Sequence, residues 1–289
     1  MWGVVDDNES IAAIRQAVDC GVNLIDTAAI YGEGHSEEIV GKAVTGLRDR
    51  VVIATKCGLL PPTRRGDLPR RCLSHDSIIR ECENSLRRLR VDVIDIYQCH
   101  WTDPETPLRE TMRAMTTLLD QGKIRTIGVS NFSCEQLATA REFGPVHCVQ
   151  PHFSILHRRP ASDLIPYCQE HDIAVIAYGP LAKGLLTGKF DESSTFQDVR
   201  ATDPDFTAAR YPRNLAIVAK LEEIALRYDK TVAQLALSWV VNHPGVTSAI
   251  VGAKRPSQVI ENIGGADWTI TDNDQQLITR ILEEASRGT

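Results

Sequence analysis

The sequence predicts an α/β protein whose parallel strands close into a (β/α)8 barrel, and three observations carry that prediction. Amphipathic helical stretches alternate with short apolar runs along the whole chain. The runs are continuously apolar rather than alternating, which marks strands buried on both faces, and strands separated by helices pair in parallel. No Gly/Ser/Pro-rich linker or low-complexity tract interrupts the 289 residues, so residues 1–289 are expected to form a single domain of barrel size. An open doubly wound sheet is the alternative, but no G-x-G-x-x-G follows any apolar run to mark a dinucleotide-binding first turn.

The elements follow in order. Asp7 to Cys20 reads as a helix with Ile11, Ile14 and Val18 on one face and Gly21 as its stop. Val22 to Ile25 is a strand, followed by a helix from Ser36 to Leu47, for which Ser36 is the candidate cap. Val51 to Ala54 is the next strand. A long loop leads to a helix from Ser74 to Arg90 that turns Ile78, Leu86 and Leu89 inward. Val91 to Tyr97, Ile124 to Val129, His147 to Val149, Ile173 to Ala177 and Val246 to Val251 complete seven strands. Between them lie helices over Thr106 to Gln121, Cys134 to Phe143, Ala161 to His171, Asn214 to Tyr228 and Val232 to Asn242, and Asp272 to Ser286 closes the chain. Seven strands are one fewer than a closed barrel requires.

Composition narrows the function classes. At 43% hydrophobic and 24% charged the chain can bury a full core, which excludes intrinsic disorder. A formal net charge of -6 argues against nucleic acid or an anionic membrane as partner, since such surfaces select an excess of Lys and Arg. No run approaches the ~20 apolar residues of a bilayer span and no secretory leader opens the chain, so a soluble, cytoplasmic protein is expected. The eight cysteines show neither C-x-x-C pairing nor zinc-finger spacing. They are expected to be reduced structural thiols, with no metal site.

In a βα barrel the chemistry lies at the carboxyl ends of the strands. Those positions carry Asp26, Lys56, His100, Ser130 with Asn131, Gln150, Tyr178 and Gly252 with Lys254 and Arg255, and Tyr31 lies just beyond the first of them. Packing alone would not choose this set. An ammonium beside a phenol favours the phenolate and lowers a pKa otherwise near 10, and a carboxylate paired to that ammonium holds it charged and oriented. A histidine can then donate to a substrate oxygen. Such a group protonates a carbonyl oxygen while something else delivers hydride to its carbon.

The same stretches carry a family resemblance. Asp26-Thr27-Ala28 with Tyr31-Gly32, Ala54-Thr55-Lys56, Cys99-His100-Trp101 and Gly128-Val129-Ser130-Asn131-Phe132 occur in order at strand ends. Tyr178 through Lys189 and Val251-Gly252-Ala253-Lys254-Arg255-Pro256 follow. Together they resemble the aldo-keto reductases, TIM barrels in the (β/α)8 class, and most closely the bacterial branch of general-stress, broad-aldehyde reductases. The resemblance implies an NADP-dependent oxidoreductase acting on small carbonyl or alcohol substrates. Tyr31 would be the general acid, Lys56 and Asp26 would lower its pKa, and His100 would orient the carbonyl. Ser130, Asn131 and Gln150 would hold the nicotinamide carboxamide and Tyr178 would stack on its ring. Gly179, Pro180, Leu181, Lys183, Gly184 and Leu186, with Lys189 beyond, would wrap the pyrophosphate. Lys254 or Arg255, after Gly252, would read the 2′-phosphate and so favour NADPH/NADP+. Gln258, Glu261 and Asn262 would meet the adenosine end. An NADP(H)-binding sensor or partner subunit of the same fold, as the channel β-subunits of the superfamily are, is the alternative.

Relatives in this family begin with a β-hairpin and a first barrel strand. This sequence starts at Met1-Trp2-Gly3, directly before its first helix, so both are expected to be missing and strand edges to lie unpaired. Plainer roles compete for several residues. Lys56 could snorkel to solvent, Asp26 could cap a helix, Tyr31 could serve packing alone and His100 could be a satisfied core histidine. Trp101 and Phe153 divide between rim packing and pocket wall. Arg64, Arg65, Arg70 and Arg71 read as a solvated run. Cys57 and Cys99 alternate with Lys56 and His100 and are expected to face the helices. Substrate choice is expected to rest on the loops Leu59 to Leu73 and Phe190 to Pro212.

Overall fold

The computed structural model describes residues 6–62, Arg64 and residues 67–287. Met1-Trp2-Gly3 and Arg65 lie outside the described residues. The chain opens with α1 (Asp7–Asp19), β1 (Leu24–Asp26), α2 (His35–Ala43), β2 (Val52–Cys57), a hairpin of β3 (Leu59–Leu60) and β4 (Arg70–Arg71), and α3 (His75–Leu89). Next come β5 (Ile94–Cys99), α4 (Leu108–Asp120), β6 (Ile124–Ser130), α5 (Cys134–Arg141), β7 (Cys148–Gln150), α6 (Leu164–Glu170) and β8 (Ala174–Tyr178). After a long loop follow α7 (Tyr211–Leu226), α8 (Val232–Val241), β9 (Ser248–Ile250), α9 (Pro256–Ile263) and α10 (Asp272–Arg287).

The seven apolar runs form one parallel sheet in the order β1-β2-β5-β6-β7-β8-β9. It curls into a nearly closed barrel. Cα atoms of β1 and β9 come within 8 Å, yet the two strands share no ladder, whereas the helices outside them are continuous because α1 packs on α9. Among the described residues the unpaired edges are therefore β1 and β9. Among the described residues no helix is long and apolar enough to cross a membrane.

Several strands begin later than the apolar runs suggest, and the cause is helix termination. Val22 and Val91 read as strand residues, but their N–H groups donate back to Ala17 and Leu86 across left-handed Gly21 and Arg90. They finish the preceding helices before the chain extends. Ser36 is not the cap of α2: its hydroxyl pairs with that of Thr27 at 2.8 Å, and left-handed Gly34 occupies the cap position. Two elements were not anticipated. The β3–β4 hairpin is only two residues a side, and eight-residue α9 starts at Pro256, directly after Lys254 and Arg255.

Side chains alternate as the pleat requires. On β2, Lys56 points into the barrel while Thr55 and Cys57 point to the helices; on β5, Gln98 and His100 point in while Tyr97 and Cys99 join the outer core. Cys57, Cys82, Cys99 and Cys168 are small hydrophobes of that core. Phe153 is fully buried against Trp239 and His243, which assigns it to packing.

Candidate active site

The centre of the barrel mouth is an ion pair. Lys56 Nζ donates to Asp26 Oδ2 at 2.5 Å and to the Thr27 carbonyl at 2.9 Å, and the lysine is 2% exposed. Asp26 ends β1 and Lys56 lies one residue before the end of neighbouring β2, which pairs with β1 so that Asp26 stands opposite Ala54. The carboxylate's other oxygen accepts from Gln150 Nε2 at 2.8 Å and more weakly from Gln98 Nε2 at 3.4 Å. This excludes snorkelling for Lys56 and helix capping for Asp26.

Tyr31 and His100 lie over that pair. Lys56 Nζ is 5.5 Å from the Tyr31 ring centroid, and the two rings meet edge to face at 5.7 Å and 81°. Tyr31 reaches this place through an unusual turn. Gly32, Glu33 and Gly34 all take positive φ (61°, 55° and 99°), which swings the chain from Tyr31 straight into α2. Glycine at two of the three positions keeps the conformational cost low. Tyr31 remains 44% exposed, whereas His100 is 8% exposed with its N–H on the Cys57 carbonyl at 3.0 Å.

The electrostatics depart from the simple expectation. Lys56 does lower the Tyr31 pKa, but desolvation around the phenol is the larger influence and raises it, with the Asp26 charge adding in the same direction. The net direction is upward, so the phenol is held protonated rather than poised as a phenolate. Burial and then the Lys56 charge push His100 down to about 3, so its imidazole is neutral at pH 7.

Beside this centre the ends of β6, β7 and β8 share a network. Tyr178 Oη donates to Asn131 Oδ1 at 2.8 Å, Asn131 Nδ2 donates to the His100 carbonyl at 3.0 Å, and Ser130 Oγ donates to the Gln150 carbonyl at 2.9 Å. Tyr178 stacks on His152 at 5.0 Å and 10°. Directly after it the chain curls tightly, with Gly179, Ala182, Lys183, Gly184 and Gly188 at positive φ. A Cβ at Gly179 would lie 2.8 Å from the His152 ring, so only glycine fits there. Lys183 is held by Asp203 from the following loop. Further out, burial and then the charges of Arg200, Lys254 and Arg255 lower the Lys189 pKa while Asp198, the partner of Arg200, raises it, so the four cations lie within electrostatic reach of one another near the start of α9. Gln258 folds back to accept from the Lys254 N–H at 2.8 Å, while Glu261 is exposed and Asn262 half-buried on α9.

A model of the Aldo/keto reductase family matches residues 1–283. The chain belongs to the aldo/keto reductase family. It is 44% identical over 98% of its length to aldo-keto reductase YhdN of Bacillus subtilis, covering 86% of that protein. It is 34% identical to the NADH-specific methylglyoxal reductase of Escherichia coli, over 99% of this chain and 91% of the relative. Among solved structures, the Klebsiella pneumoniae aldo-keto reductase in complex with NADPH superposes with a TM-score of 0.76 at 33% identity, over 96% of this chain and 85% of that one.

In this aldo-keto reductase the structure brings Asp26, Tyr31, Lys56 and His100 into one cluster and groups Ser130, Asn131, Gln150 and Tyr178 beside it. Gln150 engages the Asp26 carboxylate, a contact its place at a strand end did not suggest. Three participants escaped the sequence reading. Gln98 is inward two residues before His100, a position the pleat could have exposed. Arg200 lies in the long loop and joins the cation patch only through tertiary folding, and Glu37 holds β2 from outside the barrel. Of the arginine run, Arg64, Arg70 and Arg71 are all exposed as expected, and Arg71 also lies over Trp101 at 5.1 Å and donates to the Thr102 carbonyl.

Proposed function

We propose that this chain is an NADPH-dependent carbonyl reductase that converts small aldehydes and ketones to alcohols with Tyr31 as the proton donor. The observation that carries the reading is a buried Lys56–Asp26 pair beneath a protonated phenol that faces a neutral imidazole. Reduction adds a hydride to the carbonyl carbon and a proton to its oxygen. A nicotinamide held at the mouth would supply the hydride. The Tyr31 hydroxyl supplies the proton, because an alkoxide oxygen is a stronger base than a phenolate even when desolvation has raised the phenol pKa. The ammonium of Lys56 stabilises the phenolate left behind, and exposure of the tyrosine lets solvent reprotonate it. Neutral His100 donates a hydrogen bond to the carbonyl oxygen, polarising it and fixing its direction.

The residues present suit a nicotinamide dinucleotide. The Ser130–Asn131–Gln150–Tyr178 group offers amides, a hydroxyl and a flat ring for the nicotinamide, and the curl from Gly179 to Leu186 suits the pyrophosphate. Lys189, Arg200, Lys254 and Arg255 suit a 2′-phosphate. The E. coli relative named as NADH-specific makes this a point to measure. NADPH is expected to bind roughly 10–100-fold more tightly than NADH, the effect of one or two charge-assisted contacts. A Lys254→Ala/Arg255→Ala double variant is expected to erase the difference in fluorescence titrations. Equal affinity for both nucleotides in the parent protein would sink the NADPH assignment.

Turnover of a panel of small aldehydes tests the reductase reading itself. Tight cofactor binding with no turnover across the panel would replace it by the sensor or partner-subunit reading.

The His100 imidazole also gives a pH signature. Its folded pKa of about 3 lies below the ordinary value of 6.5, so its contribution to stability is complete above pH 6.5 and is lost as pH falls toward 3. Between those limits the slope approaches ~1.4 kcal/mol per pH unit from this group alone. Denaturant unfolding at pH 7 and pH 4.5 is expected to show His100→Gln losing less stability on acidification than the parent. Equal losses would show that His100 is not held neutral.

A further inference from the structure

We propose that Glu37, clamped between Thr55 and Arg88 outside the barrel wall, is a positioning residue that sets Tyr31 against Lys56. The inference rests on the carbonyl-reductase reading and adds a device that none of the strand-end residues supplies.

Glu37 is a fully buried carboxylate on the helix side of β2, bonded to Thr55 and Arg88. Each of its oxygens has one strong donor. Thr55 Oγ1 donates to Oε1 at 2.6 Å and Arg88 Nε donates to Oε2 at 2.6 Å. The three residues come from α2, β2 and α3. Thr55 immediately precedes Lys56 and points outward where Lys56 points inward, so a bond at Thr55 fixes the backbone from which the lysine extends. Glu37 stands in the first turn of α2, directly after the left-handed turn that delivers Tyr31.

Arg88 completes the clamp by filling the space beneath that turn. A Cβ on Gly34 would lie 2.6 Å from Arg88 Cδ and 2.8 Å from Nε, so the guanidinium stem is packed flush against the backbone three residues beyond Tyr31. A second tie runs alongside, with the Ser36 hydroxyl on that of Thr27, whose carbonyl accepts from Lys56. Desolvating a carboxylate and part of a guanidinium carries a penalty that their attraction only roughly offsets. Such a pair is a poor device for stability and a good one for geometry, because charge-assisted bonds are short and directional. Here the geometry it fixes is the offset between the proton donor and the cation that stabilises its conjugate base.

Thr55→Val tests the inference because it removes the donor with no change of charge or volume, and Thr55→Ser restores it. Two readouts separate positioning from general support. The first is kcat for an aldehyde the parent reduces. The second is the alkaline titration of the Tyr31 phenol, read as the ultraviolet difference between each protein and its Tyr31→Phe counterpart. Thr55→Val is expected to lower kcat on the order of 10-fold with the cofactor KM nearly unchanged. It is also expected to move the phenol titration to higher pH, since Lys56 is the group that lowers it. Thr55→Ser returns both toward the parent. If Thr55→Val does not fold, Arg88→Lys, which keeps the charge and loses the Nε donor, is read the same way. A lowered melting temperature with the phenol titration unmoved overturns the proposal. A parent that reduces no carbonyl at all defeats the reductase reading instead, and the phenol titration still decides the positioning role.

Discussion

Tyr31→Phe is expected to lower kcat for aldehyde reduction by ~10²–10⁴-fold, the range for loss of a positioned general acid. The reason lies in the barrel mouth. The phenol keeps its proton at neutral pH and faces an imidazole that is neutral there and therefore a poor acid in its place. Cofactor affinity is expected to hold, because the groups suited to the nucleotide sit at the ends of β6 to β8 and at the start of α9, and Phe keeps the edge-to-face contact with His100. Stopped-flow reduction with parallel titration of NADPH fluorescence checks both halves. Turnover within a few-fold of the parent would remove Tyr31 from the mechanism, and loss of cofactor binding would make it a binding residue.

The second large effect is Lys56→Met, for which a double loss is expected. Methionine fills the volume of the lysine stem but leaves the Asp26 carboxylate, itself only 9% exposed, with the Gln150 and Gln98 amides alone. Breaking a buried pair from one side costs ~3–5 kcal/mol, because the partner charge stays desolvated. For a chain of this size that lowers the melting temperature on the order of 10 °C. Activity falls at least as far as in Tyr31→Phe, since the phenolate formed on proton transfer loses its cation. Asp26→Asn/Lys56→Met removes both charges and is expected to recover part of the stability and none of the activity. Equal melting temperatures for the parent and Lys56→Met would show that the pair is solvated and not a buried one.

Much of this site was legible along the chain. Asp26, Lys56, Ser130, Gln150 and Tyr178 end or nearly end apolar runs, and a parallel barrel puts all such ends on one face. The edges of the elements were less legible. Val22 and Val91 look like strand residues by hydropathy, and only the hydrogen bonds that close α1 and α3 assign them to helix ends. The cap of α2 was misplaced onto Ser36 because a left-handed turn at Gly34 leaves no mark in a search for Ser, Thr, Asp or Asn.

What the sequence by itself determined is the alternation of helix and strand, the parallel sheet and the identity of the four residues at the mouth. Each of these depends on local period or on spacing within a few residues, and both survive in one dimension. Tertiary structure alone decided how those residues behave. Tyr31 carries a raised pKa because desolvation, which depends on everything packed around a group, outweighs the Lys56 charge, and His100 a strongly lowered one because desolvation and that charge act together. In the same way Glu37 reaches Thr55 across 18 positions and Arg88 across 51. No periodicity records such contacts, because the chain meets itself there only after the barrel has formed.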